Sequence, residues 1–208
     1  MDLEQVIRRR RSVRRFKPDP VPEADVARML ELACLAPSAS NQQMWRFVAI
    51  SNREVLERMR QAVQEQYERM AELMPDDERK AALRRARGYS SFFTNAPVVI
   101  AVLGEPYTSG LEPVFAELGL AEPALGEARG WPDIQSIGAA VEHLLLAAVD
   151  MGYGGCWMTG PVAARQRLHQ ILGVEPPWRL LCLVPIGVPA EEPRPPFPRR
   201  EGSVAWVR

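Results

Sequence analysis

The chain has 208 residues and 23.3 kDa, with 47% hydrophobic and 25% charged residues, proportions that suit one sizeable domain and lie well outside the disordered class. Lys+Arg 26 balances Asp+Glu 26, so no global charge drives polyanion binding, and every cation is Arg except Lys17 and Lys80. Cys34, Cys156 and Cys182 form no CxxC pair and read as small buried hydrophobes, while the acidic start Met1-Asp2-Leu3-Glu4 and the short apolar runs speak against a secretory signal or a bilayer span; a cytoplasmic protein is the default expectation.

In chain order, Asp2 followed by Gln5 has the form of a capping box, and Leu3, Val6 and Ile7 give a short helix its buried stripe. An extended segment, Ser12–Phe16, follows the arginine run. Pro18, Pro20 and Pro22 then stiffen a turn into a helix whose Val26, Met29, Leu30 and Ala33 share one face, and Pro37 stops it. A polar loop, 38–43, leads to a strand at Trp45–Ile50. A long helix is predicted over about Arg53–Leu73, broken by Pro75-Asp76-Asp77 and resumed as an Arg-rich helical stretch up to Phe93. Pro97–Leu103 reads as a fully buried strand, and Glu105–Pro132, rich in Gly and Pro, as a long excursion with a helical turn near Val114–Leu118, a functional cover or a mobile segment.

Ile134–Met151 is apolar nearly all round and is expected at the centre of the fold, with His143 as a satisfied core or interface residue. Next come a glycine-rich turn, a strand near Cys156–Met158, a helix Val162–Leu172 and a buried strand Arg179–Gly187. A proline-laden tail ends in a strand-like Ser203–Val207. Strands separated by helices, with no repeat and no clean linker, indicate one α/β-type domain over 1–208, and by this reading its sheet is largely parallel.

Several chemistries lack their residues. There is no G-x-x-x-x-G-K-[ST] run, no G-x-G-x-x-G around Gly152-Tyr-Gly-Gly155, and no G-x-S-x-G. His143 and His169 stand in no zinc motif. A metal site is not expected, and an enzyme built this way relies on a bound cofactor.

Three clusters carry chemistry. In Arg10-Arg11-Ser12-Val13-Arg14-Arg15-Phe16, residues 10, 12 and 14 of an extended chain project to one side, so two guanidinium forks and a hydroxyl form a phosphate cradle. The same run also reads as a solvated or nucleic-acid-binding patch. Pro37-Ser-Ala-Ser-Asn-Gln-Gln-Met-Trp45 offers side-chain donors and acceptors for a polyol or heterocycle edge, or is an ordinary turn. Gly152-Tyr-Gly-Gly-Cys-Trp-Met-Thr-Gly160-Pro161 lets backbone approach a planar ligand, or is a tight helix-to-strand connection with Trp157 in the core.

Taken together in this order, the three clusters resemble the FMN-dependent nitroreductase family, with Ala96–Val102 and Leu183–Gly187 resembling its two core strands and the likeness running from Val6 to the C-terminal strand. The resemblance implies an α+β fold in three layers, a mixed, mainly antiparallel sheet flanked by helices, as an intertwined homodimer with FMN at the interface. The region 105–132 would be a lid, and 188–208 an extension packing on the partner subunit. It implies that Arg10 and Ser12 take the FMN phosphate, Arg11 contributes backbone or charge, and Arg14 lies toward the flavin pyrimidine, where a cation offsets negative charge. Ser38, Ser40, Asn41 and Gln43 match the loop that reaches the other subunit's FMN. Trp157, Met158, Thr159 and Gly160 match the segment beside the ring, with the Thr159 or Gly160 N–H addressing N5 and O4. Arg199 or Arg200 matches a C-terminal basic residue at the phosphate.

The implied activity is ping-pong transfer of two electrons from NAD(P)H through flavin N5 to a small-molecule acceptor, a nitroaromatic or quinone, with no essential catalytic side chain. Relatives of this kind also dehalogenate iodotyrosine or fragment flavin to dimethylbenzimidazole. Met44 replaces the family's usual proline before Trp45, which softens that turn and alters one wall of the site. Arg84, Arg85 and Arg87 are the candidates for a cation on a middle helix. A reading of a different class, an Arg-rich nucleic-acid-binding protein, predicts steeply salt-dependent DNA affinity and no chromophore.

Overall fold

The structure, a computed structural model, describes residues 1–121, 123–192, 198 and 200–207. Its first helix, α1 (Leu3–Arg9), starts where expected, with the Asp2 carboxylate accepting from the Gln5 N–H at 2.8 Å. Helix α2 (Glu23–Ala33) follows Pro22 and buries Val26, Met29 and Ala33. Strand β1 (Trp45–Ile50) leads into α3 (Arg53–Glu72), capped by Asn52, and α4 (Asp77–Ser91), capped by Asp76. Strand β2 (Val98–Gly104) is buried throughout.

The excursion after β2 folds into two short helices, α5 (Glu112–Glu117) and α6 (Ala124–Arg129). Helix α7 (Pro132–Asp150) is the apolar one, and His143 sits half-buried on it. Strand β3 (Gly154–Gly155), a 3-10 turn at Gly160–Ala164, α8 (Arg165–Leu172) and β4 (Arg179–Gly187) complete the domain, so the helix expected over 162–172 is divided in two.

The sheet runs β1-β2-β4-β3, and every strand pairing in it is antiparallel, which corrects the parallel arrangement read from strand–helix alternation. The reason lies in the link between β1 and β2. Gln64 hydrogen-bonds Ser91, and Glu68 binds Arg84 and Arg87. Later positions on α3 therefore meet earlier positions on α4, and the pair is an antiparallel hairpin. Its two helices carry the chain out and back, so β2 starts beside the end of β1, with Ile50 opposite Val99.

Helices cover both faces, giving three layers and two cores. Val98, Ile100 and Val102 of β2 join Cys182, Val184 and Ile186 of β4 under α2 and α7. Val99, Ala101 and Leu103 face the opposite way, toward Leu56, Met59 and Val63 of α3 and Leu168 of α8. A bulge between Val102 and Leu103 shifts the register and puts Leu180 on that second side.

The strand expected at 156–158 is displaced. Pro185 accepts from the Cys156 N–H at 3.3 Å but has no N–H to return, so the ladder lapses there and resumes as the single bridge between Met158 and Leu183. Ser203–Val207 forms no strand in the single chain. Val204 and Trp206 stand 74% and 81% exposed, and among the described residues no strand pairs with them. Among the described residues, no helix is long and apolar enough to cross a membrane.

Candidate functional site

The arginine segment is held against the glycine strip by backbone. Ser12 bridges Gly155 in parallel, the Val13 N–H donates to Gly155 O at 3.0 Å, and the Lys17 N–H donates to Val188 O at 2.8 Å. Val13 is buried, and a Cβ on Gly154 would lie 2.5 Å from its Cγ2. Glycine is therefore required at 154 for the segment to dock. With Val13 inward, Ser12 and Arg14 face out on the other side of the chain.

The bridge at Gly155 sets Ser12 and Arg14 beside the start of the Cys156–Gly160 strip. Burial pushes the Cys156 thiol up, while the charge of Arg14, a hydrogen bond with Ser12 and the charge of Arg10 pull it down. Arg14 donates to Ser12 O at 3.2 Å, and Arg10 Nε stands 3.4 Å from Glu142 on α7. Arg11 belongs to the opposite side. It donates to the carbonyls of Arg8 and Arg10 and lines a separate groove of about 670 Å³ with Val13, Gly152, Tyr153 and Pro189.

Beyond Cys156 the strip runs along α7 and then under the helical hairpin. Trp157 is 41% exposed and rests at Gly138 of α7, while Met158 is buried by its bridge to Leu183. Burial pushes the Cys182 thiol up to about 12, opposed by a hydrogen bond with Trp157. Thr159 is exposed. Gly160 is buttressed from behind: Tyr67 donates to its carbonyl at 3.1 Å, Ser90 Oγ donates to Tyr67 Oη at 2.9 Å, and a Cβ at 160 would collide with Ser90 Oγ. Pro161 follows, so this carbonyl's peptide carries no N–H. Tyr67 and Ser90 lie far from the motif in sequence, and only the hairpin brings them to it.

The loop 38–43 is strained. Ser40, Asn41 and Gln43 have φ of 50°, 52° and 52°, the left-handed region that costs non-glycine residues about 1 kcal/mol or more each. Ser38 Oγ accepts from the Gln43 N–H at 3.0 Å, Asn41 Oδ1 accepts from Gln43 Nε2 at 3.3 Å, and Ser136 Oγ of α7 accepts from the Ala39 N–H at 3.1 Å. Ser40 Oγ meets Tyr107 Oη at 3.0 Å, and the Gln42 carboxamide pairs with both the N–H and the carbonyl of Thr108. Met44 is fully buried beside Trp45, so it forms core rather than a wall of the cleft.

Helix α7 thus carries the anchor of each cluster: Ser136 for the loop, Gly138 for Trp157 and Glu142 for Arg10. Ser136 and Gly138 are two residues apart, about 200° around the helix axis. Within one chain the loop and the arginine–tryptophan surface therefore lie on opposite flanks of α7. The structure brings Arg10, Ser12, Arg14 and the 156–160 strip together; it does not bring Ser38, Ser40, Asn41 and Gln43 to them.

Other expected cations are placed as follows. Arg84 and Arg87 are committed to Glu68, at 2.8 and 3.0 Å, and hydrogen bonding from Arg84 is the main cause holding the Glu68 carboxyl below its ordinary value. Arg85 is exposed. Arg199 lies outside the described residues. Arg200 is exposed, and among the described residues its contact is local, its carbonyl accepting from Ser203 at 2.8 Å.

A glycine-docked arginine segment, an exposed tryptophan resting on a central helix and a three-layer antiparallel frame define an α+β domain with arginines exposed beside the 156–160 strip. Compared with known proteins, residues 7–188 match the model of the Nitroreductase family. The chain is 31% identical over 207 residues to the 5,6-dimethylbenzimidazole synthase of Rhodospirillum rubrum, covering 98% of this chain and 88% of that protein. It is 26% identical over 213 residues to the iodotyrosine deiodinase of Thermotoga neapolitana, covering 98% and 97%. Among solved structures, a BluB-like flavoprotein from Clostridium difficile superposes with a TM-score of 0.91 at 26% identity over the whole of both chains. An FMN-bound nitroreductase from Bacteroides fragilis shares the fold, with a TM-score of 0.73 at 21% identity and full coverage of both. The chain belongs to the Nitroreductase family.

Proposed function

We propose that this protein is an FMN-dependent oxidoreductase that takes two electrons from NAD(P)H and delivers them to a small organic acceptor, a nitroaromatic or quinone, acting in the cytoplasm as a homodimer. The observation that carries this reading is the docking of Arg10, Ser12 and Arg14 beside the Cys156–Gly160 strip through the contact of Gly154 with Val13. A dianionic phosphate fits guanidinium forks and a hydroxyl gathered at one end of that surface, and a flat heterocycle fits the strip beyond it.

Bound FMN would supply hydride and electron transfer at its ring. Arg10 and Ser12 would hold its phosphate, with Glu142 orienting Arg10. Arg14 would offset negative charge on the pyrimidine end, and the backbone N–H groups of Thr159 and Gly160 would donate to the ring edge. Tyr67 and Ser90 hold the Gly160 carbonyl from the far side, which keeps that short segment rigid. Exposed Trp157 would exclude water from one margin. The placement of the 38–43 loop across α7 supports a cleft closed by a second copy's Ser38, Ser40, Asn41 and Gln43. The exposed Val204 and Trp206 support a C-terminal segment that packs on a partner.

The arginine run is less suited to nucleic acid than its composition implied. Arg8 pairs with Glu4, Arg10 with Glu142 and Arg15 with Glu191, and Arg11 caps two carbonyls. A second reading, fragmentation of reduced flavin in the presence of oxygen, is favoured by the similarity to the dimethylbenzimidazole synthase and by the folded 105–132 excursion beside the loop. An absorption spectrum of the purified protein, repeated after denaturation and after anaerobic NADH addition, tests the first reading. A released flavin that bleaches with NADH and is reoxidised by menadione or a nitrofuran supports it. A protein that stays colourless after FMN reconstitution sinks it. Aerobic accumulation of dimethylbenzimidazole from reduced FMN would move the assignment to the second reading.

A further inference from the structure

The excursion between β2 and α7 has an interior of its own, organised on one residue. The Arg129 side chain is 14% exposed. Its guanidinium donates to Glu112 Oε1 at 3.0 Å and to Ser109 Oγ at 2.6 Å, and it lies 4.5 Å from the Phe115 ring centroid and 5.8 Å from that of Tyr107. Glu112 in turn accepts from the Ser109 N–H at 2.8 Å. That bond is the first cause holding its carboxyl down at about 2, with its own N–H and Arg129 adding to it, so the partner of Arg129 stays anionic across the physiological range. Arg129 therefore fixes the stretch 107–109 relative to α5 and α6.

That same stretch is what grips the strained loop. Tyr107 meets Ser40, and the Thr108 peptide is read at both its N–H and its carbonyl by Gln42. Three residues of a six-residue loop sit in the left-handed region, and they remain there only while neighbouring groups over-determine them. Among the described residues, the hydrogen bond from the α7 side comes from Ser136, and the other hydrogen bonds from outside the loop's own segment come from the excursion. The two ends of this chain of contacts are Arg129, which nothing in its local sequence marks out, and Asn41 with Gln43, which the flavin reading places at the cofactor.

We infer that Arg129 and Gln42 are positioning residues for flavin binding: Arg129 fixes Tyr107 and Thr108, and through Ser40 and Gln42 these hold the 38–43 loop in its binding conformation before the cofactor arrives. The inference rests on the flavin reading above and adds to it that the excursion pre-organises the cofactor loop, beyond covering the acceptor. Pre-organisation of this kind is reciprocal. If the excursion favours the conformation that binds flavin, bound flavin must steady the excursion by the same factor.

The test uses the full-length protein. FMN dissociation constants are measured by quenching of flavin fluorescence for the wild type, Arg129→Met, Arg129→Lys and Gln42→Met. Amide hydrogen exchange is followed over 107–119 with and without FMN, and circular dichroism checks the fold. Losing the two Gln42 hydrogen bonds should weaken FMN binding about tenfold. Arg129→Met should weaken it at least as much, with Arg129→Lys recovering part of the loss. FMN should slow exchange at 107–119 in the wild type and fail to do so in Gln42→Met, a readout that a merely structural excursion would not move. Wild-type binding with variant constants within twofold, or with exchange at 107–119 indifferent to FMN, overturns the inference and leaves the flavin reading standing. If Arg129→Met does not fold, Gln42→Met and the wild-type exchange experiment decide. A wild type that binds no FMN overturns both.

Discussion

Gly154→Ala isolates the contact that docks the arginine segment. The new methyl carbon would sit 2.5 Å from Val13 Cγ2, 3.0 Å from Val13 Cβ and 3.1 Å from Pro189 Cγ, on a strand flanked by β4, so the added group has no free direction in which to yield. Overpacking of this kind costs about 1–3 kcal/mol. For a chain of this size, each 1 kcal/mol corresponds to a drop of about 2–4 °C in Tm. Val13→Ala, which removes the methyl that Gly154→Ala would strike, should by itself cost about 1–2 kcal/mol through lost burial. In the double variant the 2.5 Å collision with Cγ2 is gone and only the tight contacts with the residue-13 Cβ at 3.0 Å and Pro189 Cγ at 3.1 Å remain, so its cost should fall short of the sum of the two by about 1 kcal/mol or more. Urea unfolding of the four proteins at one fixed protomer concentration measures this coupling. The fixed concentration matters because assembly shifts apparent stability. Phosphate-end affinity should follow the same order, since Ser12 and Arg14 flank Val13 in the segment. Costs that add to within 0.3 kcal/mol, or a Gly154→Ala protein with wild-type stability, would refute the docking argument.

Three further outcomes are expected. Tyr67→Phe removes the donor to the Gly160 carbonyl and leaves buried Ser90 without its acceptor, so it should cost about 1–3 kcal/mol in urea unfolding and slow reduction by NADH at saturating FMN; unchanged stability together with unchanged reduction kinetics would count against the buttress. His169 accepts the Leu180 N–H through Nε2 at 2.9 Å, which requires neutral imidazole, and burial, with Arg165 adding to it, lowers its pKa from 6.5. The unfolded chain then binds this proton more readily, so its contribution to stability is complete above about 6.5 and is lost as pH falls through that value toward the folded pKa. The urea midpoint should decline over that window in the wild type and less so in His169→Gln, and identical profiles would discard the assignment. Finally, Tyr153 donates to Asp25, and this bond, with burial and the Asp25 charge, pushes its phenol up to about 12. A spectrophotometric titration should show a late phase near that value that is absent in Tyr153→Phe, and a late phase that survives the substitution would discard the assignment.

The parts of this molecule that were legible in sequence are those set by neighbours within a few residues. Asp2 and Gln5 announced α1, and the spacing of Val55, Leu56, Met59 and Val63 announced α3. The alternation around Val13 put residues 10, 12 and 14 on one side. Strand direction was not legible, because it depends on whether one helix or a helical hairpin joins two strands, and α3 and α4 reveal their pairing only through Gln64–Ser91 and Glu68–Arg84. Pro185 could have warned that the strand opposite it would lapse, but only once its partner was known to be Cys156. Tyr67, Ser90, Gln42 and Arg129 were missed for a common reason: each is an ordinary residue in its own segment and gains its role from a backbone group or ring more than 10 positions away. Met44 misled in the other direction, since its place in a polar motif hid that its side chain belongs to the core.

The three anchors on α7 also decide where this chain tolerates changes in length. A rigid helix turns by about 100° per residue. One residue inserted or deleted between Gly138 and Glu142 would swing Glu142 away from Arg10 while Gly138 stayed beneath Trp157, and a change between Ser136 and Gly138 would misalign the loop against both. The tip of the excursion around Leu118–Ala121, exposed at Leu118, Gly119 and Ala121, carries no such phase, and a change in length should cost less there. Gaps accumulated by descendants of this sequence should therefore crowd into that tip and avoid the seven residues from Ser136 to Glu142.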